Sequence, residues 1–196
     1  MFKRGLIFPG GREPLLHGED VYLRYPQFSD YAAWAMVRGA SREFLTPWEP
    51  SWAPDELTRT AFRRRLRRYE TEIRNDVSYP FFVFRNSDDA LIGGCTLSNV
   101  RRGVCQSASI GYWIGTSYAR QGYMTDAVRA ILPFVFDVLG LHRLEAACIP
   151  GNEPSRRLLQ KLGFREEGRS RSYLQINGEW RDHVLFALLE DERPVG

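Results

Sequence analysis

Gly111-Tyr112-Trp113-Ile114-Gly115-Thr116-Ser117-Tyr118-Ala119-Arg120-Gln121-Gly122-Tyr123-Met124-Thr125-Asp126-Ala127 crosses from a strand into a helix. Aromatic and β-branched residues mark the strand, and an apolar helical period follows over residues 126–139. Between them Gly122 sits in a short turn. The first amides of a helix have no partner within it and stand at the positive end of its dipole. A glycine keeps side-chain bulk away from that end, so a pyrophosphate fits there. An ordinary strand-to-helix turn has the same spacing. Gly-x-x-x-x-Gly-Lys-Ser/Thr is absent, which argues against a nucleotide-hydrolysing P-loop, and no Gly-x-Gly-x-x-Gly opens a helix.

Upstream, residues 21–25 read as a strand, and Ser29 is placed to cap a helix through Tyr31, Trp34 and Val37 that Gly39 ends. Prolines hold residues 44–50 out of regular structure, although the segment carries Phe44 and Trp48. A second helix is predicted over residues 54–75, because Phe62, Leu66, Tyr69 and Ile73 fall on one face. Residues 79–84, a turn at 86–89, residues 91–100 and residues 107–115 read as an antiparallel meander. Downstream come a strand at 143–149 and a helix at 153–162 closed by Gly163. A hairpin of 164–174 with 180–189 turns at Asn177-Gly178. Strand, helix, strand, helix implies one parallel pairing, so the class is α/β (α+β), a mixed sheet with antiparallel strands at either end of one crossover.

At 196 residues, 43% hydrophobic and 26% charged, the chain is expected to form one domain, residues 1–196, with 1–18 as an N-terminal extension. A net charge of +3 argues only weakly for nucleic acid, although Arg63, Arg64, Arg65, Arg67 and Arg68 crowd one stretch. Such a run is usually the solvated face of an amphipathic helix; its sharper alternative is docking to RNA or to an acidic partner. Cys95, Cys105 and Cys148 are odd in number and lack Cys-x-x-Cys spacing, so neither a disulfide framework nor a metal site is predicted, and a reducing cytoplasm fits. Lys3 and Arg4 precede apolar residues that Pro9-Gly10-Gly11 interrupts, and no stretch approaches about 18 apolar residues, so no membrane association is expected.

Residues 119–124 resemble, in part, the acetyl-CoA-binding segment of the GNAT superfamily, whose pattern is Gln/Arg-x-x-Gly-x-Gly/Ala. Gly122 occupies the fourth position, but Ala119 replaces the first residue and Met124 the last. The surrounding words carry the resemblance further. Leu45-Thr46-Pro47-Trp48-Glu49-Pro50, Ser98-Asn99-Val100-Arg101-Arg102-Gly103, Gly111-Tyr112-Trp113-Ile114-Gly115, Leu162-Gly163-Phe164 and Gly178-Glu179-Trp180-Arg181-Asp182-His183 look like the RimJ branch of ribosomal-protein-alanine N-acetyltransferases.

This resemblance implies a GNAT fold with a twisted, mostly antiparallel sheet of about seven strands flanked by helices. It also implies acetyl-CoA as donor and direct attack by the acceptor amine in a ternary complex. Trp113, Ile114 and Gly115 would hold the pantetheine, and the amides of Arg120, Gln121, Gly122, Tyr123, Met124 and Thr125 the pyrophosphate. Asn152 would lie beside the pantetheine arm. Ser155 would face the sulfur and donate to the departing thiolate, or else simply cap the helix it opens. Many relatives place a tyrosine acid seven residues beyond that asparagine, where this chain has Leu159.

For a base, Glu145 on the central strand and Glu49 in the aromatic segment compete, with pairing to Arg143 or His142 as the plain alternative for Glu145. Phe44, Trp48, Tyr79 and Phe81 are candidates for a peptide groove, with core packing the alternative for Tyr79 and Phe81. Asp182 and His183 are adjacent, but neighbouring strand residues point to opposite faces, which argues against a hydrolytic pair. An α-amine is far less basic than a lysine, so a site without an obvious base fits a protein N-terminus as acceptor, and the resemblance implies a ribosomal one. Rival readings are transfer to a small amine and a weakly active acyl-CoA-binding protein that docks RNA or ribosomes. A monomer or a homodimer fits equally.

Overall fold

The computed structural model describes residues 14–193. The stretch around Lys3 and Arg4, and most of the expected extension, lie outside them. Eight strands form one sheet: β1 (Leu15–His17), β2 (Val21–Arg24), β3 (Tyr79–Arg85), β4 (Leu91–Arg101), β5 (Ser107–Ile114), β6 (Arg143–Cys148), β7 (Arg165–Ile176) and β8 (Glu179–Leu189). Their order is β1-β2-β3-β4-β5-β6-β8-β7. The strand beyond the expected seven is β1, which pairs antiparallel with β2 at one edge.

Only β5 and β6 run parallel, and their ladder covers Ser107 to Ser109 against Arg143 to Glu145. Beyond it β5 keeps its antiparallel pairing with β4 up to Ile114, while β6 keeps its pairing with β8 up to Cys148 opposite Val184. Parallel pairing is the weaker of the two and sheets twist, so each strand follows its antiparallel neighbour and the two separate.

Helices cover both faces. On one, α4 (Tyr123–Pro133) and α5 (Glu153–Lys161) pack on the larger core, which includes Val128, Ile131, Leu159, Ala146, Cys148, Val184 and Phe186. On the other, α1 (Tyr31–Ala40) and α3 (Arg59–Arg74) bring Trp34 and Phe62 against Phe82, Phe84 and Leu91, with Trp113 at the margin. The Trp34 and Phe62 rings meet at a tilt of 37°, their centroids 4.8 Å apart.

Several local expectations are corrected. Ser29 caps nothing: a 3-10 turn, Phe28–Asp30, precedes α1, and the Asp30 carboxylate accepts the Gln27 amide and a bidentate Arg24 guanidinium. Gly39 lies inside α1. The proline-bearing segment is helical, as α2 (Arg42–Leu45) followed by a 3-10 turn, Thr46–Trp48. Pro47 stands at the start of that turn, where its missing N–H breaks no bond. α3 begins at Arg59 rather than near Pro54, because the Thr58 side chain caps it through the Ala61 amide.

The helix expected over 126–139 begins at Tyr123 and widens after Pro133 into a π turn, Phe134–Val138, closed by the Leu139 amide on the Phe134 carbonyl. Proline has no N–H to continue the ladder. The arginine run lies on α3, where Arg64, Arg65 and Arg68 pair with Asp55, Glu56 and Glu72, and Arg63 lies over the Phe28 ring.

The start of α4 is tied to the sheet by Asp126. Its buried carboxylate accepts the amides of Glu19, Asp20 and Val21 at 3.1, 2.8 and 3.2 Å. Removing an acceptor that serves buried donors costs their desolvation. Asp126→Ala is therefore expected to lower stability by about 3 kcal/mol, read as a shifted denaturant midpoint with unchanged slope.

Candidate active site

Where β5 and β6 part, a cavity of about 810 Å³ opens. Side chains alternate along a strand, so a gap between strands touches both faces of the sheet. On the α4/α5 face it is lined by Tyr112, Ile114, Cys148, Ser155 and the start of α4, and on the α1/α3 face by Trp113, Phe44, Trp48, Glu49 and His183.

On the first face the turn before α4 carries Arg120 at φ 63° and Gly122 at φ 89°. In that left-handed conformation a glycine is unstrained. Asp126 donates the first helical bond, to the Gly122 carbonyl, so the amides of Tyr123, Met124 and Thr125 have no partner within the helix. Arg120, Gly122, Tyr123, Met124 and Thr125 all line the cavity. Gln121 does not; its side-chain amide donates to the Ser117 carbonyl at 2.9 Å. Met124 is turned inward, its sulfur 3.6 Å from that of Cys95. Arg157 and Lys161 join Arg120 at this end. None of these three cations makes an ion pair among the described residues. Arg157 and Lys161 escaped the sequence reading, although their spacing of four puts them on one face of α5.

Deeper in, the Asn152 side chain caps α5 by accepting the Ser155 amide at 3.3 Å. Ser155 is thereby released from capping, and its hydroxyl lies 2.8 Å from that of Tyr112. Tyr112 also escaped the sequence reading; it brings a phenol to the serine from β5 rather than from α5. Burial pushes the Tyr112 hydroxyl well above the usual phenol range, although its bond to Ser155 lowers it. Burial likewise pushes the Cys148 thiol up to about 11, against the lowering effects of Ser155 and Arg156. Cys148 is thus a protonated thiol at neutral pH and a poor nucleophile. Trp113 and Ile114 line the cavity; Gly115 does not, because its amide is held by the Ile92 carbonyl at 2.8 Å.

On the opposite face, Phe44 and Trp48 stand 41% and 38% exposed at the rim. Tyr79 and Phe81 do not reach the groove: they are 0% and 1% exposed and pack edge-on against Phe134, because β3 is a central strand buried on both faces. Glu145 does not reach it either. Its carboxylate bonds Arg101 and Arg143 at 2.8 and 2.9 Å beside the closed part of the ladder, so the plain alternative of an ion pair describes it.

Glu49 does line the cavity, but its oxygens take the Arg38 guanidinium at 2.6 and 2.7 Å and the Trp52 indole at 3.0 Å. Arg38 is itself held over the rings of Trp52 and Trp113. Engaged by three donors, the carboxylate ties its segment to Arg38 and Trp52. Glu43, unnoticed in the sequence, is the cavity's other carboxylate and makes no ion pair among the described residues. The tip of the β7–β8 hairpin completes the wall, with the Asn177 amide on the Glu49 carbonyl at 2.9 Å.

A sheet opened between parallel strands thus offers free amides and cations on one face and an aromatic recess with the Glu43 carboxylate on the other, an arrangement suited to bringing an anionic donor to an amine. The sequence profile of the acetyltransferase (GNAT) domain matches residues 20–165, and the chain belongs to that family. It is similar to the Bacillus subtilis protein named "Probable N-acetyltransferase YjcK", at 35% identity over 91% of this chain and 98% of the relative. It is also similar to the Escherichia coli [ribosomal protein uS5]-alanine N-acetyltransferase, at 33% identity over 89% and 84%. Among solved structures it superposes on Mycobacterium smegmatis RimJ in complex with CoA-disulfide, with a TM-score of 0.86 and 35% identity over 94% of this chain and 90% of that one. The chain is an N-acetyltransferase of this family. No helix among the described residues is long and apolar enough to cross a membrane.

Glu49→Gln removes the charge that compensates buried Arg38. It is expected to lower stability by about 3 kcal/mol, whereas loss of a catalytic base would leave the unfolding midpoint unchanged and lower turnover of folded protein.

Proposed function

We propose that this chain transfers the acetyl group of acetyl-CoA to the α-amine of a protein N-terminus, with a ribosomal protein as the acceptor class. The observation that carries the reading is the cavity through the sheet, cationic at one mouth and aromatic and acidic at the other. Phosphates suit the first and an ammonium suits the second. The likeness to the uS5-alanine acetyltransferase and to RimJ supports the acceptor class.

The donor's pyrophosphate takes the amides between Arg120 and Thr125, with Arg120, Arg157 and Lys161 adding charge around it. Its pantetheine takes the free edge of β5 beside Trp113 and Ile114, next to Asn152, and this orients the thioester towards the acceptor side. The amine attacks the thioester carbonyl directly; a protonated Cys148 gives no support to an acyl-enzyme. As the carbon–sulfur bond breaks, the Ser155 hydroxyl donates to the sulfur, and Tyr112, whose proton burial holds firmly, donates to Ser155 in turn. The phenol thus stands in for the tyrosine that position 159 lacks. Phe44, Trp48 and the hairpin tip form the groove for the acceptor chain.

The decisive experiment offers acetyl-CoA together with an alanine-starting peptide, a polyamine or an aminoglycoside, and identifies the acetylated amine by mass spectrometry. A single acetyl on the peptide α-amine is expected; turnover of the small amines with none on the peptide would overturn the acceptor. Ser155→Ala is expected to lower kcat about tenfold with little loss of stability, since Asn152 supplies the cap. The Arg157→Ala, Lys161→Ala double variant is expected to raise KM for acetyl-CoA about tenfold at unchanged kcat.

A further inference from the structure

His183 is 3% exposed, yet it lines the cavity. Val184, Phe186 and Leu188 of β8 face the α4/α5 core, so alternation turns His183 to the opposite, acceptor face. Its Nδ1 lies 3.0 Å from the Arg181 carbonyl oxygen. A carbonyl only accepts, so Nδ1 carries the hydrogen and the neutral ring has its lone pair at Nε2. Nε2 makes no hydrogen bond among the described residues. Tyr173 packs edge-on against the ring, 5.7 Å between centroids, and holds its plane. Neighbouring Asp182 turns away to the Ser172 amide and Arg169, so no carboxylate pairs with the imidazole.

The other groups on this face do not meet the same need. Glu49 is tied to Arg38 and Trp52, and Glu145 lies outside the cavity. Glu43 is exposed on α2 at the rim, and a carboxylate is ordinarily a far weaker base than an imidazole.

We infer that Nε2 of His183 is the proton acceptor for the attacking amine, an inference that rests on the transferase reading above. The ammonium gives one proton to Nε2, and the freed lone pair forms the carbon–nitrogen bond. As the carbon–sulfur bond breaks, the nitrogen gives its second proton to solvent, and the sulfur takes one from the Ser155 hydroxyl, which recovers a proton from solvent in turn. Imidazolium returns its proton to solvent, so one proton is released for each amide formed. Base and acid stand on opposite faces of the sheet, each beside the atom it serves.

The test is His183→Asn, whose side-chain amide can still donate to the Arg181 carbonyl but has nothing basic at the ε position. Coenzyme A release is measured with an alanine-starting peptide and with the same peptide bearing an aminooxy group in place of its α-amine, which is already neutral at pH 7. With the α-amine peptide, H183N is expected to lose about 100-fold in kcat. KM and coenzyme A affinity should stay within about twofold, and the loss on the aminooxy peptide within about fivefold. Equal losses on both peptides, or none, would overturn the inference while leaving the transferase reading intact. If wild-type protein releases no coenzyme A with either peptide, both fall. His183→Gln repeats the comparison if H183N does not fold.

Discussion

The short parallel ladder between β5 and β6 is the constraint on which the site depends. Three residues on each strand, from Ser107 and from Arg143, join the two halves of the sheet. Past them each strand is held by an antiparallel partner along its whole length, and twist carries the two apart. The opening leaves backbone groups of residues 110–114 unpaired on that side, and buried polar backbone requires a partner. A ligand with amide groups of its own, as pantetheine has, can supply one. The gap is therefore a consequence of strand order rather than of any single residue.

Around this opening the two faces are built differently. The α4/α5 face is organised by backbone: free amides, a left-handed glycine and the Asp126 carboxylate that anchors the helix start to the β1–β2 turn. The α1/α3 face is organised by one side chain. Arg38 is nearly buried, lies between Trp52 and Trp113, and grips both oxygens of Glu49. A desolvated guanidinium stacked on indoles and closed by a carboxylate gives a stiff support for a segment with little regular structure of its own. The hairpin tip leans on the same segment through the Glu49 carbonyl, so residues far apart in the chain meet in one wall.

Element types were legible because their signals are strong: the apolar stripe of α3 and the glycines before α4 and after α5 identify themselves. β1 was missed because three residues carry no period. The ends of α3 and α4 were displaced because a threonine cap and a proline, rather than the apolar stripe, decide where those helices begin and widen. In the site, the turn at Gly122 and the Asn152-x-x-Ser155 element could be read locally, since each ligand-facing group lies within one turn of the next. Tyr112 and His183 could not, because strand pairing across the sheet brings them in, nor could Glu43, which reaches the cavity through the packing of α2; no linear spacing encodes either. Glu49 and Glu145 were chosen for their chemistry, but Arg38 holds the first, and the neighbouring Arg143 with the distant Arg101 holds the second.

A channel that pierces the sheet, instead of a pit on one side, also bears on how turnover ends. On the proposed reading, coenzyme A and the acetylated chain would leave from opposite faces of the sheet, so neither would have to wait for the other to clear the way. Their sequence of departure follows from how tightly each mouth holds its cargo, and altering one mouth leaves the other exit route untouched.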